Sequence, residues 1–131
     1  TGKSLAIQSF GILPGIGAFD AALRAEPTLV RTLRETHPEL VFMEWNGGRP
    51  LTHSKRTPEG RAERQALIRP DYGDVRQNLG ATLPSGAWAI DDLLDAVAAL
   101  RAAERIAAGR AVTIPETPEF DSCGLPMRMA F

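Results

Sequence analysis

The sequence is poorest in cysteine and in charge of one sign. Its 131 residues hold one cysteine, Cys123. An internal disulfide and a cysteine-based zinc site are thereby excluded. The usage fits a reducing compartment, and a cytoplasmic location is expected. Lys and Arg number 15 against 16 Asp and Glu, a net charge of −1. Such balance gives no broad electrostatic footprint for nucleic acid, so contact with it would need a local patch. No apolar run is long enough for a membrane span, and no basic segment followed by an apolar one marks a secretory signal. Repeats and low-complexity tracts are absent. What remains is the length and apolar content of a single domain over residues 1–131 with a core of its own.

The first residues, Thr1-Gly2-Lys3-Ser4, look like the end of a phosphate loop. A complete loop needs an earlier glycine, then a strand and an uninterrupted helix around it. Only Thr1 precedes Gly2 here, and Gly11, Pro14, Gly15 and Gly17 follow. These breakers predict that no long helix forms there, and the tripeptide reads as chance.

Further along, Phe19 to Glu26 reads as a short helix ending before Pro27. Leu29, Arg31, Leu33, Glu35 and His37 alternate with Val30, Thr32, Arg34 and Thr36, which predicts a strand stopped by Pro38. Pro38 itself suits a first helical position, and Gly47-Gly48 closes that helix. Thr57 then Pro58 announce another helix, predicted to stop before Pro70. The stretch 71–86 is ambiguous, with room for a short helix. The strongest helical signal runs from Trp88 to Gly109, with Leu93, Val97 and Leu100 at helical spacing. Short strands are expected at "AVTIPE" and "GLPMRMAF". Interleaved strands and helices predict an α/β layer architecture.

Asp91, Asp92 and Asp95 crowd the start of that long helix. The helix dipole favours acids in the first turn by about 0.3–1 kcal/mol, which explains Asp91 and Asp92. Asp95 lies beyond that turn. It has acidic neighbours at i−3 and i−4, and alanines at i+3 and i+4, so nothing on its own helix offsets its charge. A divalent cation would, and carboxylate oxygens suit magnesium or manganese. Read by itself, "RETHPEL" is a polar edge with a locally satisfied His37. The one basic cluster, Arg49 to Arg64, holds Lys55, Arg56, Arg61 and Arg64 beside Glu59 and Glu63. It reads first as a solvated face, although a helix start with nearby cations can also take a phosphate.

Four segments together resemble the DUF429 family: "GKSLAIQSFGILPGIGAFDAALR", "RETHPELVFMEWNGGRPLTHSKRTPEGRAER", "DDLLDAVAALRAAERIAAG" and "GLPMRMAF". That family is described as predicted nucleases of the RNase H-like fold. The resemblance implies that this chain corresponds to the C-terminal part of the family pattern, with the N-terminal strands absent. The fold expected is thus a partial RNase H-like α/β domain, a mixed sheet with packed helices. Glu35, His37, Pro38 and Glu39 match the family's E-x-H-P-E, and Asp92 to Ala96 match its D-x-x-D-A. Ser54 to Thr57 match an S-K-K-T pattern. Asp92 and Asp95, with Glu35 next, are the implied catalytic metal ligands for Mg²⁺ or Mn²⁺, with Asp91 a cap. Lys55, Arg61 and His37 are the implied substrate contacts. The first-strand aspartate of the pattern is missing, which leaves half of a two-metal site. The function implied is metal-dependent phosphodiester hydrolysis of nucleic acid. The alternatives are a non-catalytic RNase H-like binding module and a small-molecule nucleotide phosphohydrolase. An open sheet edge further predicts homo-oligomers.

Overall fold

A computed structural model describes residues 7–84, 86 and 88–131. The Gly2-Lys3-Ser4 tripeptide lies outside the described residues. The order of elements is α1 (Ile7–Ala25), a 3₁₀ turn (Pro27–Arg31), α2 (Pro38–Trp45), α3 (Pro58–Tyr72), α4 (Val75–Asn78), α5 (Ile90–Ala107), β1 (Thr113–Phe120) and β2 (Pro126–Ala130). The architecture is mixed α/β, dominated by helices, with one two-stranded antiparallel sheet near the C-terminal end. The described residues fall into two compact units. One runs up to Arg34 and includes Phe120–Met127; the other is Glu35–Glu119 with Arg128–Phe131.

In the first unit, α1 is continuous across Gly11, Pro14, Gly15 and Gly17, against the expectation of a break there. Proline's fixed φ is compatible with a helix; its penalty comes from one lost hydrogen bond and a clash one turn earlier. Here that turn is exposed to water, as are all positions from 10 to 19. The exposed residues include Phe10 at 68%, Ile12 at 61% and Phe19 at 63%. The strand predicted across 29–37 is also absent. Pro27 opens a 3₁₀ turn, and Leu29 and Val30, adjacent in sequence, are both half-buried. Burial of neighbours suits a turn, whereas a strand would bury alternate residues. The hairpin tip is organised by Asp121, whose Oδ1 accepts the N–H of Cys123 and of Leu125, both at 2.8 Å. These bonds hold its carboxyl below the usual range. Gly124 takes φ +81° in this tip, a conformation open to glycine at little cost.

The second unit holds the core. Val41 and Phe42 from α2, Ile68 from α3, Val75 from α4 and Phe131 meet Leu93, Leu94, Val97, Ala98 and Ala102 on α5. The α5 set follows helical spacing, so one stripe of that helix is dry. Leu100, predicted to share it, is 48% exposed. Full burial contributes roughly 1.5–3 kcal/mol for a side chain such as Phe42 or Leu94. Trp45 extends the core surface: it stacks on Phe42, meets Tyr72 edge-on at 5.8 Å, and carries the Arg101 guanidinium 4.0 Å over its ring. Trp88 packs on the same cluster.

The helices begin largely where expected. Pro38 is the first residue of α2, and the Thr57 hydroxyl caps α3 by accepting Gly60 N–H at 3.1 Å. Helix α3 runs past Pro70 instead of stopping before it, since Pro70 is exposed and close to the end. The remaining strand character near residue 35 is a single parallel bridge between Glu35 and Met129. In it, Ala130 N–H donates to the Glu35 carbonyl at 2.8 Å. Val112 and Phe131 exchange two backbone bonds and close the ladder.

Candidate functional site

Residues 49–57 form a loop between α2 and α3, and its shape is dictated by α3. Glu63 turns its carboxylate back and accepts the N–H of Thr52 at 2.9 Å and of His53 at 3.0 Å. These backbone bonds pull its carboxyl below the usual 4.5. Arg64 donates from one terminal nitrogen to the His53 carbonyl at 3.2 Å and the Gly60 carbonyl at 2.8 Å. Its other terminal nitrogen grips both oxygens of Glu39 on α2, at 2.9 and 2.6 Å. The guanidinium lies 5.5 Å over the Phe42 ring, and its side chain is only 3% exposed. A charged, planar fork at this depth fits because every terminal nitrogen has an acceptor.

The loop also lies hard against the first turn of α3. A Cβ at Gly60 would stand 2.0 Å from the Ser54 carbonyl oxygen. Only glycine lets the two backbones approach so closely. The result is a cleft of about 410 Å³ lined by Glu39, Leu51, Thr52, His53, Ser54, Lys55, Arg56 and Arg64.

From the cleft wall, Lys55 reaches across to α5. Its Nζ donates to Asp95 Oδ2 at 2.6 Å, with the two side chains 37% and 27% exposed. The charge that α5 leaves uncompensated is therefore met by a residue 40 positions earlier. Only one carboxylate oxygen is used. Asp95 Oδ1 is buried and has no hydrogen-bond partner among the described residues. A buried carboxylate oxygen without a donor is costly, by about 1–3 kcal/mol or more for a charged group. Glu44 Oε2 is likewise buried with no partner among the described residues, its other oxygen lying 3.0 Å from Arg105.

The other predicted residues lie as follows. Asp92 is exposed, and its Oδ2 accepts the N–H of Ala89 at 3.1 Å, the reciprocal cap at the start of α5. The capping assigned to Asp91 thus belongs to Asp92. Glu35 is exposed and engaged through its backbone in the bridge to Met129. His37 is exposed at the N-cap position of α2. Arg61 is half-buried, with an Nε that is buried and has no partner among the described residues. Among the described residues, no group of three or more His, Cys, Asp or Glu side chains is placed to hold a metal ion. The structure therefore brings Lys55 to Asp95 and puts Lys55 on the cleft.

A family model described as "Protein of unknown function (DUF429)" matches residues 1–120. The chain belongs to the DUF429 family. No curated protein and no solved structure matches the chain. The DUF429 match includes the loop, the cleft and all of α5, so the Lys55–Asp95 pair lies within it.

Sequence reasoning passed over three residues of this DUF429 site. Glu63 and Arg64 read as parts of a solvated charged face; one anchors the loop and the other is buried beneath it. Gly60 drew no comment. A glycine in the first turn of an otherwise good helix was the available signal, because it costs up to about 1 kcal/mol against alanine and asks for a packing reason. No helix of the described residues is long and apolar enough to cross a membrane.

Proposed function

We propose that this chain carries the aspartate–lysine part of a divalent-cation-dependent phosphodiesterase acting on nucleic acid. The observation that carries the reading is Asp95: one oxygen on Lys55 at 2.6 Å, the other buried without a partner among the described residues. An orphaned carboxylate oxygen fits Mg²⁺ or Mn²⁺. Magnesium often takes only one or two protein carboxylates, the rest of its shell being water and substrate phosphate. Such an ion supplies positive charge at a phosphoryl oxygen and makes bound water a better nucleophile. In this reading Asp95 would hold the ion through Oδ1; Asp92 and Glu35 are the further carboxylates that the family pattern implies, although among the described residues they are not gathered with it into a three-ligand group. Lys55, on the wall of the cleft, meets the phosphate. Arg61 and His37 extend that contact along the strand. The RNase H-like architecture belongs to the same proposal.

The test is cleavage of a panel of single-stranded, duplex, hybrid and junction oligonucleotides with Mn²⁺, set beside nucleotides. Asp95→Asn should abolish cleavage while the thermal unfolding midpoint stays close to that of the parent. Turnover of nucleotides alone would convert the reading to a small-molecule phosphohydrolase. No turnover of any substrate by the parent would overturn both.

Two observations favour a second reading, a non-catalytic binding module. The described residues hold no three-ligand cluster, and the chain as a whole is close to neutral. Under it, an oligonucleotide binds without being cut, and Asp95→Asn leaves that binding unchanged.

A further inference from the structure

We propose that α1 is a dimerisation helix, its exposed apolar face pairing with the same face of a second copy of this chain. The inference concerns the first unit alone and is independent of the reading above.

Three observations carry it. First, the first unit has no core. No residue from 10 to 34 or from 120 to 127 is buried. Phe10, Ile12, Leu13, Ile16 and Phe19 on α1 are each 43–68% exposed, and Leu33, Phe120 and Met127 are exposed as well. A unit this small, with its large apolar side chains in water, gains too little from burial to offset the ordering of its backbone. Second, α1 has little helical drive of its own. Gly11, Pro14, Gly15 and Gly17 stand in its interior. Each disfavours a helix relative to alanine, so packing has to hold it. Third, the large apolar residues share one side. At about 100° per residue, Phe10, Ile12, Leu13, Ile16 and Phe19 fall within half the circumference of α1. Gly11, Pro14, Gly15 and Ala18 take the other half. A contiguous apolar face of this kind marks a surface that is covered in the assembled protein.

Area and charge point to the occupant. Five such side chains at these exposures present roughly 500 Å². Two copies set face to face would bury about 1,000 Å², the least that a specific interface needs. The segment from Phe10 to Phe19 has no charged residue. The first charges after it, Asp20 and Arg24, neutralise each other at 2.9 Å. A charged partner finds nothing to read on this face, whereas an identical face meets no repulsion. Such a pairing is isologous, so it closes as a dimer and does not run on into a filament. The sheet edge is a poorer seat for association, because β1 carries Pro115 and Pro118, which offer no N–H to an added strand.

The test is sedimentation velocity on the whole chain from about 1 to 100 μM, the range in which a small interface assembles and comes apart. The parent should sediment as a dimer that dissociates towards the low end. Leu13→Lys and Ile16→Lys each place an ammonium in the middle of the apolar face and should weaken the dimer at least about tenfold. Ala18→Lys, on the opposite side, should change it by less than about threefold. Tryptophan emission, which reports the second unit, should be the same in all four proteins. A second readout introduces no charge. With Cys123→Ser removing the chain's one cysteine, Ile16→Cys should be joined to its counterpart by a short bismaleimide, and Ala18→Cys should not. A parent that is monomeric throughout overturns the proposal. So does a dimer that survives both Leu13→Lys and Ile16→Lys, or cross-linking through Ala18→Cys in place of Ile16→Cys. Species larger than a dimer overturn the isologous pairing.

Discussion

Gly60→Ala should reverse the usual sign of a glycine-to-alanine change in a helix. Alanine in a helix interior is ordinarily the better residue by about 0.8–1.0 kcal/mol. At position 60 the new methyl group would lie 2.0 Å from the Ser54 carbonyl oxygen, 2.6 Å from its carbon and 3.0 Å from the His53 carbonyl oxygen. These are backbone atoms, so no rotamer change relieves the clash. Ordinary contact begins near 3.4 Å, so the loop must retreat by about 1.4 Å. That distance is enough to break the bonds from Thr52 and His53 to Glu63, and from Arg64 to the His53 carbonyl. At roughly 1 kcal/mol for each of three bonds, less the gain in propensity, the net loss is about 2 kcal/mol. Strain from overpacking, about 1–3 kcal/mol, adds to it where the loop resists. Urea denaturation with an unchanged m-value reads this as a lower midpoint. Gly15→Ala is the control. Nothing lies within 4 Å of its added methyl group, so it should raise helix content. If Gly60→Ala proves as stable as the parent, the close approach of loop and helix is not what fixes this site.

Three further outcomes are expected. Glu39→Gln leaves the Arg64 guanidinium, 3% exposed, without its counter-charge and should cost about 2–4 kcal/mol in a urea experiment. Combining it with Arg64→Met should recover part of that loss; a double variant worse than both singles together would sink the pairing argument. Glu63 has its carboxyl below the usual 4.5 in the folded chain, so its contribution is complete above that value and fades as pH falls through the lower folded value. Glu63→Gln should flatten this acid-side slope in stability measured against pH. Tyr72, the single tyrosine, should titrate at about 12 by phenolate absorbance, because burial first and then its hydrogen bond with Glu104 favour the neutral ring. Glu104→Gln should move that midpoint back towards 10.

Much of the second unit could be read before any coordinates. Pro38 and Thr57–Pro58 marked helix starts because fixed φ and a capping hydroxyl act within a few residues. The alanine and leucine run of α5 carried its own propensity. The expected strand at 29–37 shows where such reading stops. A period of two is also what chance gives, and burial of Leu29 beside Val30 decided for a turn. Pro14 and Pro70 were taken as stops, yet an exposed helix can lose a hydrogen bond to water and continue. For the site, Asp95 was legible as an uncompensated charge. Its partner was not, because Lys55 stands 40 positions away and nothing local joins them. The burial of Arg64 was equally invisible, since Glu39 and Phe42, which accommodate it, belong to another helix.

The placement of Trp45 and Trp88 has a practical consequence. They are the chain's two tryptophans, and both lie in the second unit. Intrinsic fluorescence is thus a reporter of the core and silent on α1, whose own aromatic residues among those described are phenylalanines. Emission and far-ultraviolet dichroism followed through one melt would trace different parts of the same molecule, and a gap between the two curves would mark α1 coming apart on its own schedule.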